Sequence, residues 1–248
     1  MLSGPPLTGV DGAEQLLDRF LSASMRQRRS LLPQLERRRG ELLPFLPDRI
    51  ERLDPTGDDW AGGFLVQLCL AAGDAAVRDD FLGRHPEGWL AVASASGENY
   101  GPLQRHLMLQ EFEAADRLTS AHLRSLAGGG AVQRGYVYFS EVAAIPAVDL
   151  ESLDRLWLCY SRGRFGFSVQ GRLLRACDGR WESLWRRLGW KQEGVWTRYP
   201  SAFTWSLEAP DGHMPLINQL RGVRLMDALL RHPAIAGRIE NPPSAASG

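Results

Sequence analysis

Apolar residues recur at three- and four-residue spacing through the first part of the chain. Leu16, Leu17, Phe20 and Leu21 open the pattern, and Leu31, Leu32 and Leu35 continue it. That period predicts helices from Asp11 to about Leu53, after a disordered lead over residues 1–10. Pro44 and Pro47 interrupt it, and DPTGDDW at 54–60 predicts a turn. Phe64, Leu65, Leu68 and Leu70 predict one or two further helices over 60–84. The basic runs RQRRS and ERRRG are expected to be solvated helix faces. Residues 1–90 therefore read as an N-terminal helical bundle.

The pattern then changes. Residues 92–101, VASASGENYG, are small and polar and mark a boundary. Beyond it a second domain is expected over 98–240. Pro102 suits a first helical turn, and Leu103, Leu107, Phe112, Ala115 and Leu118 follow a helical period. The triplet Gly128–Gly130 is expected to end the helix that closes at Leu126. YVYFSEV at 136–142 has strand-like composition, although pattern alone does not separate such a run from buried helix. A helix capped by Asp149 or Asp154 through Tyr160, a turn at SRGRFG and a helix near 168–177 come next. A tryptophan-rich segment follows, and a last element spans about Pro215 to Arg231. The tail over 241–248 reads as disordered.

Composition narrows the function. The chain has 248 residues, 44% hydrophobic, with 29 basic and 29 acidic side chains. Zero net charge gives no global signal for nucleic acid or a polybasic membrane contact. The charge is uneven, however: residues 151–248 carry 14 basic and 9 acidic groups, leaving 15 and 20 for residues 1–150. The C-terminal part is thus the better seat for an anionic ligand. Cys69, Cys159 and Cys177 form no CxxC pair, which fits a reducing cytoplasm rather than a disulfide framework. No apolar run approaches the roughly 18 residues of a membrane span.

Enzymatic motifs are thin: no GxSxG, Walker loop or HExxH occurs. The five histidines have no metal-ligand spacing. His213, between Gly212 and Pro215, stands out for its constrained loop. Aromatic density says more. Trp157, Tyr160, Phe165, Phe167, Trp196, Tyr199, Phe203 and Trp205 fall within fifty residues. Most such rings build core. Asn218, Arg221 and Arg224 sit three apart, near one face if that element is helical. A flat apolar anion would use both features: walls for its plane, and planar guanidinium forks for its carboxylates. At about 0.3 kcal/mol per atom, a tetrapyrrole of roughly forty heavy atoms has a nanomolar ceiling.

Five strings then carry a resemblance. They are EFEAADRLT (111–119), GYVYFSEVAAIPAVDL (135–150), LWLCYSRGRFGFSVQ (156–170), GWKQEGVWTRYPSAFTWSLEAPDGHMP (189–215) and LINQLRGVR (216–224). GRFGFSVQ and APDGHMP are the most specific in combination. The chain resembles the genomes-uncoupled-four family of porphyrin-binding magnesium-chelatase activators, in a cyanobacterial form with an added N-terminal helical domain. The resemblance implies an all-α fold, an N-terminal bundle plus an all-helical core with an open cleft, and it overrides the strand signal at 136–142.

It further implies binding of protoporphyrin IX or Mg-protoporphyrin IX, and stimulation of magnesium chelatase through that enzyme's large porphyrin-binding subunit. No covalent chemistry of its own is implied. The cleft residues it implies are Phe139 and Val142 as apolar wall, Tyr199 as stacking face, Arg221 and Arg224 for the propionates, and Asn218 assisting. Tyr199 departs from the tryptophan that relatives often carry. The implied location is a cyanobacterial cytoplasm, with peripheral thylakoid contact and no transmembrane segment. Two rivals stand beside this reading: a ligand-free helical adaptor for protein partners, and an enzyme with His213 or Asp211 as acid/base.

Overall fold

A computed structural model describes residues 9–71, 73–216 and 223–242. The chain is all-α apart from one two-stranded hairpin among the described residues. The N-terminal helices are α1 (Gly9–Ser22), α2 (Met25–Arg37), α3 (Arg39–Leu42), α4 (Leu46–Glu51), α5 (Trp60–Leu70) and α6 (Ala75–Arg84). After the small polar stretch come α7 (Gly101–Met108), α8 (Phe112–Leu126), α9 (Gly129–Arg134) and a 3-10 turn (Phe139–Ala144). Then follow α10 (Ala147–Tyr160), α11 (Phe167–Ala176), α12 (Trp181–Arg187) and the hairpin β1 (Lys191–Gln192) with β2 (Val195–Trp196). Two further helices, α13 (Val223–Arg231) and α14 (Pro233–Glu240), close the described chain.

Several expectations are refined. The period running from Leu103 to Leu118 is two helices, because Gln110 takes a φ of 60° and turns the chain between them. Gly128, at φ 104°, does end α8, but Gly129 and Gly130 start α9 rather than a loop. YVYFSEV is no strand: its second half is the 3-10 turn. The element expected over 215–231 is helical from Val223. Asn218, Leu220, Arg221 and Gly222 lie outside the described residues, as does the predicted tail beyond residue 242. One arginine of the RQRRS run is not solvated. Arg28 is 3% exposed and pairs with Asp59 at 2.5 Å. Its Nε and Nη2 also donate to the Phe20 and Leu21 carbonyls at the end of α1.

Helix α5 is buried along its whole length, from Trp60 to Leu70. Such a helix must be surrounded on every side. Asp59 caps it by accepting from the Ala61 amide at 2.9 Å. Its main neighbour is α10, also largely buried. The two approach at Gly63: a Cβ there would stand 2.4 Å from the Cys159 carbonyl oxygen. One turn on, buried Gln67 donates to the Leu107 and Tyr160 carbonyls, at 3.1 and 2.7 Å. One amide thus joins the ends of α7 and α10, adding to the Gln110 amide that the Leu107 carbonyl already accepts. The apolar core runs without a break from Leu17 and Phe20 through Phe64 to Leu156, Trp157 and Ile235.

Two arginines fasten the periphery. Arg238 of α14 reaches Asp58, in the turn before α5, at 2.9 and 3.0 Å, and Asp154 of α10 at 2.8 Å. Arg155 reaches Asp58 at 3.2 Å and donates to the carbonyls of Thr56, Gly57 and Ala91. The close approach at Gly63 has a measurable consequence. We expect Gly63→Ala to lower the urea unfolding free energy by about 3 kcal/mol, as overpacking against fixed backbone does. Gly83→Ala in α6, where a Cβ meets nothing within 4 Å, should change it by less than about 1 kcal/mol. Equal losses in the two variants would refute the approach as a constraint.

Candidate functional site

The site is built on a scaffold made by the two most specific strings. Arg164, from GRFGFSVQ, pairs with Asp211 at 2.6 Å and donates to the carbonyls of Leu207 and Ala209. Its own carbonyl accepts from the Gly212 amide at 2.7 Å. Gln170, fully buried, donates to the Gly212 and Pro215 carbonyls at 3.0 and 2.8 Å. Gly166 donates to Met214 at 3.0 Å. APDGHMP is thereby sewn to the start of α11. His213 belongs to the same seam. Its Nδ1 donates to the Leu188 carbonyl at 2.6 Å, and its Nε2 accepts from the Thr204 amide at 3.3 Å. Burial lowers its pKa, and both nitrogens are engaged. Asp211 is occupied by Arg164. Neither is placed as an acid/base for a bound substrate.

Phe139 begins the 3-10 turn and is 47% exposed, which is unusual for so large an apolar ring. Glu141 holds that turn: it accepts from the Tyr138 amide at 2.8 Å and pairs with Arg134 of α9 at 2.6 Å. Those contacts, the amide first, hold its carboxyl below the usual range. Val142, three residues on, is 1% exposed and packs inward under the turn. Helix α13 lies against the turn, and its second residue, Arg224, sets its guanidinium 5.5 Å from the Phe139 ring. The structure therefore brings Phe139 and Arg224 together. Asn218 and Arg221 lie outside the described residues.

Next to Phe139 in the chain, Tyr138 is a second exposed ring, at 45%. Arg134 lies 4.3 Å over the Tyr138 ring. These residues were missed from the sequence. The available signal was YVYF itself, whose density of rings was read as strand composition.

Tyr199 lies in the long loop after the hairpin, 39% exposed. It meets Phe203 and Trp205 at 5.7 and 5.8 Å, edge to face, and those two rings stack at 5.5 Å. Behind it stands a group that the sequence reading passed over. Asp116 of α8 is 1% exposed and accepts from the Leu216 amide at 2.6 Å and the Tyr199 hydroxyl at 3.3 Å. Burial pushes its carboxyl up to about 7. Its signal was the spacing Phe112, Asp116, Thr119, Leu123, one face of α8 and all buried. No group of three metal-ligating side chains occurs among the described residues, and no helix there is long and apolar enough to cross a membrane.

This is an all-α protein that presents an exposed aromatic and cationic surface beside a densely hydrogen-bonded scaffold. A family model described as GUN4-like matches residues 93–233, and the chain belongs to that family. It is 43% identical over 194 residues to the "Ycf53-like protein" of Synechocystis sp., covering 78% of this chain and 82% of that one. It is 38% identical over 148 residues to the "Tetrapyrrole-binding protein, chloroplastic" of Arabidopsis thaliana, 56% of each chain. Among solved structures, GUN4 from Chlamydomonas reinhardtii aligns with a TM-score of 0.56 at 38% identity, covering 59% of this chain and 93% of that one. Ligand-free Arabidopsis thaliana GUN4 gives 0.52 at 38% identity, covering 56% and 99%.

The exposure of Arg224 separates ligand contact from folding. Arg224→Ala should change unfolding free energy by no more than about 1 kcal/mol, the value of an exposed cation–π contact. A loss of several kcal/mol in a urea titration would make Arg224 a structural arginine.

Proposed function

We propose that this protein binds a tetrapyrrole, protoporphyrin IX or its magnesium chelate, and stimulates magnesium chelatase without covalent chemistry of its own. The observation that carries the reading is the exposed Phe139 ring beside the Arg224 guanidinium, in a chain of this family. A tetrapyrrole is flat, apolar over its faces and anionic at one edge. Phe139, with Val142 beneath it, would cover a face, and Tyr199 would offer a second stacking ring. Arg224, with Arg221 and Asn218, would meet the propionates. A charge-assisted bond of that kind contributes roughly 1.5–3 kcal/mol, and burying one ring adds a similar amount. The relative named as tetrapyrrole-binding supports the ligand class.

The enzyme's large porphyrin-binding subunit is the proposed partner, and a cyanobacterial cytoplasm with peripheral thylakoid contact the proposed location. We assign the binding role to residues 98–240, with 1–90 as an appended helical domain. The test is titration with a water-soluble porphyrin, following tryptophan fluorescence. Saturable quenching near one equivalent is expected. Arg221→Ala and Arg224→Ala should each weaken binding about tenfold or more, the loss of one charge-assisted contact. Linear, unsaturable quenching in the wild type would sink the tetrapyrrole reading. If the protein nevertheless bound the chelatase subunit, the ligand-free adaptor would take its place.

A further inference from the structure

Asp116 is a buried acid with no ion-pair partner among the described residues, and it faces the loop that carries a proposed ligand contact. Its two oxygens do different things. Oδ1 accepts from the amide of Leu216, two residues before Asn218, at 2.6 Å. Oδ2 accepts from the phenol of Tyr199 at 3.3 Å. Tyr199 and Leu216 are 17 residues apart in one loop, and a single side chain from α8 holds both.

We propose that Asp116 is a positioning residue of the tetrapyrrole site, fixing through its one carboxylate both the Tyr199 hydroxyl and the backbone at Leu216. This rests on the tetrapyrrole reading above. Asp116 touches no ligand itself; it acts through Tyr199 and the Leu216 backbone. The hydroxyl is what makes Tyr199 addressable in this way, since a ring without one offers the carboxylate nothing to hold.

The clamp has a charge state. Burial, the largest influence, raises the Asp116 carboxyl, and the Leu216 and Tyr199 bonds oppose that. Glu113 and Arg117 are the charged groups of its own helix that act on it. From the loop, Tyr199 faces it with a phenol itself raised by burial and by the nearby carboxylate. His213 lies behind Phe203 at 4.8 Å, its pKa lowered by burial. Of the helices packed on α8, α7 carries His106, paired with Glu111, and α9 carries Arg134, paired with Glu141.

Ionised, Asp116 makes charge-assisted bonds, about twice as strong as neutral ones. Its effect on folding has the opposite sign. A carboxyl whose folded pKa is raised contributes stability at low pH, and that contribution is lost as pH rises from the unfolded value near 3.8 through about 7. So the grip on Tyr199 should tighten over the range in which the fold loosens. A merely structural acid would move affinity and stability in the same direction.

The experiment measures deuteroporphyrin IX affinity at pH 6 and pH 8, at fixed salt, for the wild type, Asp116→Asn and Tyr199→Phe. Propionates titrate well below this window. The wild type should bind roughly fivefold more tightly at pH 8, the difference between charge-assisted and neutral holding. Asp116→Asn keeps the shape and should be flat with pH; Tyr199→Phe should bind several-fold more weakly at pH 8 with a smaller slope.

Near-UV circular dichroism of the Tyr199–Phe203–Trp205 cluster, without ligand, should shift between the two pH values in the wild type and not in Asp116→Asn. An Asp116→Asn protein with the wild-type slope, which would assign the titration to His106 or another group, overturns the proposal. So does Tyr199→Phe binding like the wild type. A wild type that binds at neither pH, while the dichroism still shifts through Asp116, would leave the clamp standing and overturn the tetrapyrrole reading and the role of Asp116 in it.

Discussion

Helix α5 can lie against α10 only because Gly63 has no side chain where the Cys159 carbonyl passes. Any Cβ there would meet backbone, which cannot rotate aside. Gly62 does the same on the other side, against the Trp89 ring. A helix accommodates two adjacent glycines at a cost of about 1 kcal/mol each. The burial of eleven consecutive residues, Trp60 to Leu70, offsets that cost. The approach also places Gln67 where its amide reaches two helix ends at once. Moving α5 outward by one side chain would strand the Tyr160 carbonyl in an apolar interior, and an unsatisfied buried carbonyl is costly. Because α10 carries Asp154 and Arg155, the position of α14 follows from the same contact, through Arg238.

Arginine does much of the joining, and this changes the meaning of the charge count. The C-terminal part carries a surplus of basic groups, a pattern suited to an anionic ligand. The structure commits many of them to internal partners: Arg155 and Arg238 to Asp58, Arg162 to Glu36, Arg164 to Asp211. Three of these pairs reach across to residues before position 60, so the surplus is partly cancelled by the acidic N-terminal part. A partly exposed pair of this kind is weak evidence for stability by itself, since solvent screens much of the attraction. Its value lies in geometry. A planar fork with five donors joins separate chain segments at one point, as Arg155 ties α10 to residues 56–58 and to Ala91.

The sequence made the long helices legible, because their apolar spacing is set by the core they face. Helix α11 begins at Phe167, one residue from its expected start, and α10 ends at Tyr160 as expected. Short elements were not legible. Helix α9 and the 3-10 turn are too brief to show a period, and their form depends on Gly128 and on Glu141 reaching back to Tyr138. Arg28 read as one more charge in a basic run, since its burial needs Asp59, thirty-one residues away. Phe139 was legible only through the family resemblance; spacing singled out Arg224, but nothing in it predicts that α13 packs on the turn. Asp116 was visible in principle, as a polar residue inside an apolar stripe. An acid in a helix is ordinarily solvated, and that expectation masked it.

The contrast between scaffold and rim has a physical basis. GRFGFSVQ and APDGHMP are joined by polar contacts of fixed geometry. Gln170 must span Gly212 and Pro215, and Arg164 must span Asp211, Leu207 and Ala209. Replacing any one leaves buried carbonyls unpaired. Phe139, Tyr199 and Arg224 are exposed and carry few such obligations, so the fold tolerates change there at small cost. The proposed ligand contacts are thus residues that stability constrains little, beside residues that it constrains strongly. Asp116 sits at the junction of the two groups. It is buried like the scaffold, yet one of its two bonds goes to a half-exposed ring, so altering it would reach the surface through the core.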